Sequence, residues 1–130
     1  REAGAKRAVP LPMSVPAHCS LMEPAAERLA ERLSRVTLTT PEIPVIHNVD
    51  VSESGHPDAI RERLVNQVRS PVRWTECVQA IVGRGMTQAV ERAPGRVLAG
   101  LNRRINREVA TQAIYDPDSL AGALDTLEAE

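Results

Sequence analysis

The sequence predicts an α/β fold. Short strand-like apolar runs alternate with longer segments of helical periodicity. In the second half the order becomes strand, helix, strand, helix, the usual grammar of parallel strands joined by covering helices. No internal repeat or low-complexity tract interrupts the pattern.

Residues 7–15 (RAVPLPMSV) read as extended. Pro10 and Pro12 exclude a helix there and push their predecessors toward β geometry, which suits an edge or terminal strand. His18 and Cys19 follow, and then a helix over about residues 20–36, with Leu21, Ala25, Leu29, Leu33 and Val36 on one face. Its start has two readings. Ser20 and Glu23 have capping-box spacing, while a start nearer Glu23 would put Pro24 in the first helical position. Residues 41–51 (PEIPVIHNVDV) supply a short buried strand at 45–48. Residues 58–69 read as a helix with Ile60, Leu64, Val65 and Val68 apolar. Pro71 opens the next helix, which runs to about Gly83. A strand at 87–91, a tight turn at Pro94-Gly95, a helix at 96–106, a strand at 109–114 and a helix at 117–128 complete the chain.

The 130 residues suffice for one ordinary domain, burying roughly two-thirds of the unfolded surface if the fold is complete. The sequence opens at Arg1 without an initiator methionine and reaches an apolar segment almost at once, so we expect a piece of a longer protein. Sixteen basic residues against 17 acidic ones give a net charge of −1, which leaves no electrostatic footprint for nucleic acid. No apolar run reaches the roughly 18 residues of a membrane span, and the opening residues carry no signal-peptide pattern. Cys19 and Cys77 stand far apart outside any CxxC or Cys/His cluster, so no metal site is expected and both thiols read as small core residues. Reduced thiols and a cytoplasmic location are the corresponding expectation. Aromatics amount to 2%, too few for a stacking-based ligand site, and Trp74 reads as a core anchor.

One residue stands where chemistry is expected. His18 lies just past a predicted strand and just before a helix, the kind of strand end where ligand crevices form in open α/β sheets. A helix N-terminus disfavours the imidazolium, which keeps the ring neutral and able to take a proton near pH 7. A lone histidine in an apolar stretch is otherwise a structural residue.

A resemblance spans nearly the whole chain. AGAKRAVPLPMSVPAHCSLMEPAAERLA (3–30), PEIPVIHNVDV (41–51), AIRERLVNQVRSPVRWTECV (59–78) and APGRVLAGLNRRI (93–105) resemble, in order and spacing, the C-terminal part of the malonyl-CoA:acyl-carrier-protein transacylases of bacterial fatty-acid synthesis. The resemblance implies a ping-pong acyl transfer in which a serine attacks the malonyl thioester while a histidine takes its proton. The serine-bound malonyl group then passes to the pantetheine thiol of acyl carrier protein. The family histidine of Val-Pro-Ser-His-Cys maps onto His18, with Ala17 in place of the usual serine. Gln67, in LVNQVRSP, corresponds to the residue whose backbone carbonyl orients that histidine; its side chain fits a solvent-facing helix position equally well. Asn48 matches a family asparagine, either near the pocket or satisfying backbone groups at a strand end. Pro94 and Gly95 are expected near the pocket mouth, and Ala93 stands where the family prefers glycine.

The resemblance also implies an α/β-hydrolase-like large subdomain and a ferredoxin-like small one. Residues 1–14 would close the small subdomain and residues 15–130 would form the C-terminal part of the large one, with His18 where they meet. No cofactor is implied, coenzyme A being the carrier of the substrate. The implied partners are malonyl-CoA, acyl carrier protein and the N-terminal remainder of the enzyme. Arg61, Arg63, Arg69, Arg73, Arg96, Arg103 and Arg104 either meet the acidic carrier protein or form a solvated face. The Gly-His-Ser-x-Gly elbow that would carry the nucleophile occurs nowhere in these residues, so the isolated 130-residue chain is expected to be inactive. Two alternatives remain: a non-catalytic carrier-protein-binding domain, and a polyketide-synthase acyltransferase module. Val15-Pro16-Ala17-His18 resembles neither His-Ala-Phe-His nor Tyr-Ala-Ser-His of such modules.

Overall fold

A computed structural model describes residues 4, 8–10, 13–92 and 95–128. The elements are α1 (Glu23–Leu33), β1 (Ile46–His47), β2 (Ser52–Glu53), α2 (Pro57–Arg69), α3 (Trp74–Val82), β3 (Gln88–Arg92), α4 (Val97–Ile105), β4 (Ala110–Ile114) and α5 (Pro117–Glu128), with a 3₁₀ turn at Ser20–Met22. The chain divides into two compact units, one of residues 1–42 and 55–72, the other of residues 43–54 and 73–130. The fold class is α/β, as the alternation predicts.

The first unit is an antiparallel helix pair. Ala26 of α1 is fully buried, which lets the two helix backbones approach closely. Polar clasps set the direction. At the C-terminal end of α1, Arg61 of α2 donates from Nε to the Leu33 carbonyl (2.9 Å) and from Nη2 to the Val36 carbonyl (3.1 Å). The Leu33 carbonyl also accepts from the Val36 N–H (3.1 Å), so Arg61 ties α2 to the turn that closes α1. At the opposite end Glu23, in the first turn of α1, pairs with Arg69, the last residue of α2. The start of α1 is therefore held beside the end of α2.

The second unit is built on a parallel β3–α4–β4 crossover, in register from Gln88 opposite Ala110 to Arg92 opposite Ile114. α4 lies on both strands, α3 packs on α4, and α5 packs on β4. Its buried apolar residues are Cys77, Val78, Val109 and Ala123. Trp74 is half-buried, and its indole donates to Asn102 Oδ1 (3.0 Å), whose amide donates to Thr111 Oγ1 (3.3 Å). One part-buried chain of polar groups, centred on buried Asn102, thus joins α3, α4 and β4. Glu91 is also buried, at 6% exposure, and its carboxylate accepts from the backbone N–H groups of Leu98 (3.0 Å) and Ala99 (2.7 Å). Arg96, the N-cap residue of α4, makes no side-chain cap. A carboxylate from the preceding strand takes over that task at the positive end of the helix.

Several elements differ from expectation. The helix expected at 20–36 starts as a 3₁₀ turn and becomes α-helical at Glu23 with Pro24 in its first turn, so Ser20 caps nothing and the later start holds. Leu21, expected on the buried face, is 72% exposed. The strand expected at 45–48 shortens to Ile46–His47 and pairs with an unforeseen partner, Ser52–Glu53, in an antiparallel hairpin. The helix expected to open at Pro71 begins at Trp74, since Arg73 is non-helical at φ −89°, ψ 55°, with its N–H on the Asn48 carbonyl (2.9 Å). Cys77 is a core residue, but Cys19 is only half-buried, its thiol on the Pro16 carbonyl at 3.2 Å. The strand expected at 7–15 lies partly outside the described residues, and residues 8–10 and 13–15 belong to no strand.

Replacing Glu91 with alanine should lower the unfolding free energy by about 1–2 kcal/mol, since two part-buried helix-end donors lose their acceptor. The urea midpoint followed by circular dichroism reads this directly. An unchanged midpoint would mean that water serves those donors equally well.

Candidate active site

His18 sits at the tip of a tight turn that immediately precedes α1. The Ala17 N–H bonds the Val15 carbonyl (2.8 Å), and the Met22 N–H bonds the Cys19 carbonyl (3.0 Å). Between them His18 adopts φ 61°, a left-handed conformation that a non-glycine residue takes at a cost of about 1–3 kcal/mol. The ring is exposed. Its Nδ1 lies 2.8 Å from the backbone carbonyl of Gln67. Both residues belong to the first unit, and their proximity follows from the antiparallel pair: His18 precedes the start of α1, and Gln67 lies in the last turn of α2.

This contact fixes the proton. A carbonyl oxygen only accepts, so the hydrogen of the neutral ring must be on Nδ1. Nε2 is then the lone-pair nitrogen, and among the described residues nothing bonds to it. The arrangement presents a base to solvent in a defined tautomer, with a neutral dipole where a triad would use a carboxylate.

The remaining sequence candidates fall in the second unit or outside the described residues. The Asn48 backbone carbonyl accepts from Arg73, which fits the reading of a residue serving backbone groups at a strand end. Its side-chain Oδ1 is buried with no hydrogen-bond partner among the described residues. Gly95 lies in the bend before α4, while Pro94 and Ala93 lie outside the described residues. An apolar recess in this unit is bordered by Trp74, Cys77, Val78, Ile81 and Val90. Its one ionisable group is Cys77, and burial pushes that thiol up, away from nucleophilic thiolate at neutral pH. Among the described residues no three His, Cys, Asp or Glu side chains come together as a metal cluster would require.

The arginines separate into two sets. Arg61 and Arg69 clasp the helix pair, Arg63 donates to the Ala59 carbonyl (3.3 Å), Arg73 pairs with Glu76, and Arg96 lies over the Tyr115 ring at 4.8 Å. Arg103 and Arg104, with Arg107 and Gly100, border a shallow polar depression at the end of α4. No ion pair involves these three arginines among the described residues.

No protein-family model matches the sequence. Known proteins do. The malonyl CoA-acyl carrier protein transacylase of Escherichia coli K12 is 46% identical over 125 residues, 96% of this chain and 40% of that protein. The chain is similar, nearly end to end, to a segment of the malonyl-CoA:acyl-carrier-protein transacylases. The family resemblance drawn from the four sequence blocks is thereby borne out. Solved structures agree. An acyl-carrier-protein S-malonyltransferase from Burkholderia pseudomallei superposes with a TM-score of 0.89 at 48% identity, covering 95% of this chain and 40% of that one. A malonyl-transacylase in complex with a type II PKS acyl-carrier protein gives 0.91 at 48% identity, covering 96% and 40%. The chain thus spans about two fifths of the length of the transacylases it matches.

Gln67 contributes through its backbone, so Gln67→Ala should leave His18 as it is. The rate at which diethyl pyrocarbonate acylates His18 should be unchanged in the variant. A clear change in that rate would show that the amide side chain, rather than the carbonyl, governs the ring.

Proposed function

We propose that the full-length protein transfers a malonyl group from coenzyme A to the pantetheine thiol of acyl carrier protein, with His18 as general base. The observation that carries this reading is the exposed imidazole with Nδ1–H on the Gln67 carbonyl and Nε2 open. A serine hydroxyl supplied by chain beyond these residues gives its proton to Nε2 as its oxygen attacks the malonyl thioester carbon. The carbon–sulfur bond breaks, and the coenzyme A sulfur leaves with that proton. In the second half the pantetheine thiol gives its proton to Nε2, its sulfur attacks the serine ester, and the serine oxygen recovers the proton. The Gln67 carbonyl stabilises the transient imidazolium in both halves and keeps the ring from turning over.

Coenzyme A enters as part of the substrate, and no cofactor is called on. In this reading residues 1–14 finish a ferredoxin-like small subdomain and residues 15–130 form the C-terminal part of the large acyltransferase subdomain. The site works in the cytoplasm, where reduced thiols and acyl carriers coexist. The N-terminal remainder of the same enzyme supplies the nucleophile. It also covers apolar side chains such as Val90 and Val97, which are 44% and 70% exposed here. Arg103 and Arg104, in no ion pair among the described residues, are the arginines suited to meet an acidic carrier protein. The likeness to a transacylase solved with a type II PKS carrier favours one second reading, in which the receiving carrier serves polyketide synthesis. The isolated 130 residues lack the nucleophile and transfer nothing.

In the full-length chain, His18→Ala should lower kcat for malonyl transfer by about three orders of magnitude or more, with much less change in KM. Steady-state assays of coenzyme A release and of carrier malonylation measure it. A variant within about tenfold of wild type would remove His18 from the chemistry.

A further inference from the structure

The Gln67 carbonyl is available to His18 for a reason written four positions later. In an uninterrupted α-helix that oxygen accepts the N–H of residue 71. Residue 71 is Pro71, which has no N–H to give. Proline also excludes its predecessor from helical geometry, and Ser70 is accordingly extended at φ −120°, ψ 151°, so α2 stops at Arg69. Among the described residues no backbone N–H reaches the Gln67 oxygen, and its one hydrogen-bond partner is the His18 ring.

We propose that Pro71 is a positioning residue for the general base: by withholding an amide hydrogen where the helix would otherwise use one, it reserves the Gln67 carbonyl for His18 Nδ1. A non-proline residue here would let Ser70 turn helical, extend α2 and bring a new N–H onto the same oxygen. His18 would then share its acceptor with a donor held in ideal helix geometry. Its hold on the Nδ1–H tautomer would weaken, because the oxygen is then shared and nothing else among the described residues bonds to the ring. The inference rests on His18 being the base, but its first consequence concerns the protonation pattern of the ring and can be read without turnover.

The test compares the wild-type full-length chain, Pro71→Ala, and a third version in which lactic acid replaces residue 71 through an ester linkage. The ester matches alanine in shape but, like proline, offers no N–H. With ¹⁵N-labelled histidine, wild type should show a pyrrole-like Nδ1 and a pyridine-like Nε2 at His18. Pro71→Ala should shift both signals toward a tautomer mixture and lower kcat about ten- to hundredfold, with KM within about threefold. The ester version should restore the wild-type pattern and most of kcat. Unaltered ring signals in Pro71→Ala overturn the proposal. So does a loss that the ester fails to restore, since the ring constraint of proline would then be what matters. Should Pro71→Ala prove too unstable to study, the ester version alone decides: the wild-type ring pattern supports the missing donor, and its loss refutes it. Failure of the underlying base assignment shows separately, as full activity in His18→Ala.

Discussion

The hydrogen bond from His18 Nδ1 to the Gln67 carbonyl is where the packing of this chain becomes chemistry. It rests on two things at once: a turn that aims the ring, and a helix that ends beside it with a carbonyl that no backbone N–H uses among the described residues. The energies show which way the dependence runs. A hydrogen bond of this kind is worth about 0.5–1.5 kcal/mol net, while the left-handed backbone of His18 costs about 1–3 kcal/mol. The bond alone cannot hold the turn. The turn must be held by what surrounds it: the bonds from Ala17 and Met22 within it, and the α1–α2 pair that fixes its far end.

That helix pair is maintained more by close backbone approach than by charge. Glu23–Arg69 is a partly exposed ion pair, and pairs of that kind contribute little by themselves. The small buried Ala26 lets the helices come together, and Arg61 then donates to the Leu33 and Val36 carbonyls at and just past the end of α1. Charge here specifies direction. It ensures that the start of α1, and not its end, lies against the last turn of α2. In the second unit Glu91 works by the same logic, a carboxylate from one element satisfying the helix end of the next.

The parts of this arrangement legible in the sequence were those carried by periodicity and by motif. The βαβ order of β3, α4 and β4, the position of α5 and the span of α2 follow from apolar spacing and proline placement. His18 stands out by its place between a strand-like run and a helix, and the family resemblance gives it a role and adds Gln67. Composition alone gave neither, since one histidine and one helix glutamine carry no pattern. Other features depended on contacts that spacing does not encode. The β1–β2 hairpin contains only two residues per strand, too few for a period of two to register. The start of α3 at Trp74 goes with a non-helical Arg73 whose N–H meets a distant carbonyl, that of Asn48. Basic residues look alike in a sequence, so the division between clasping arginines and unpaired ones appears only in three dimensions. Pro71 was legible as a helix boundary, but its consequence for the Gln67 oxygen emerges only when His18 is seen beside it.

Neutron diffraction from crystals of the full-length chain near pH 7 tests the central claim most directly, because it places the hydrogen isotope on the ring. The account requires nuclear density for one deuteron on His18 Nδ1, pointing at the Gln67 oxygen, and a bare Nε2. Density on Nε2 with Nδ1 unprotonated would mean that the ring cannot accept a proton from a serine in this geometry, and the account would fail.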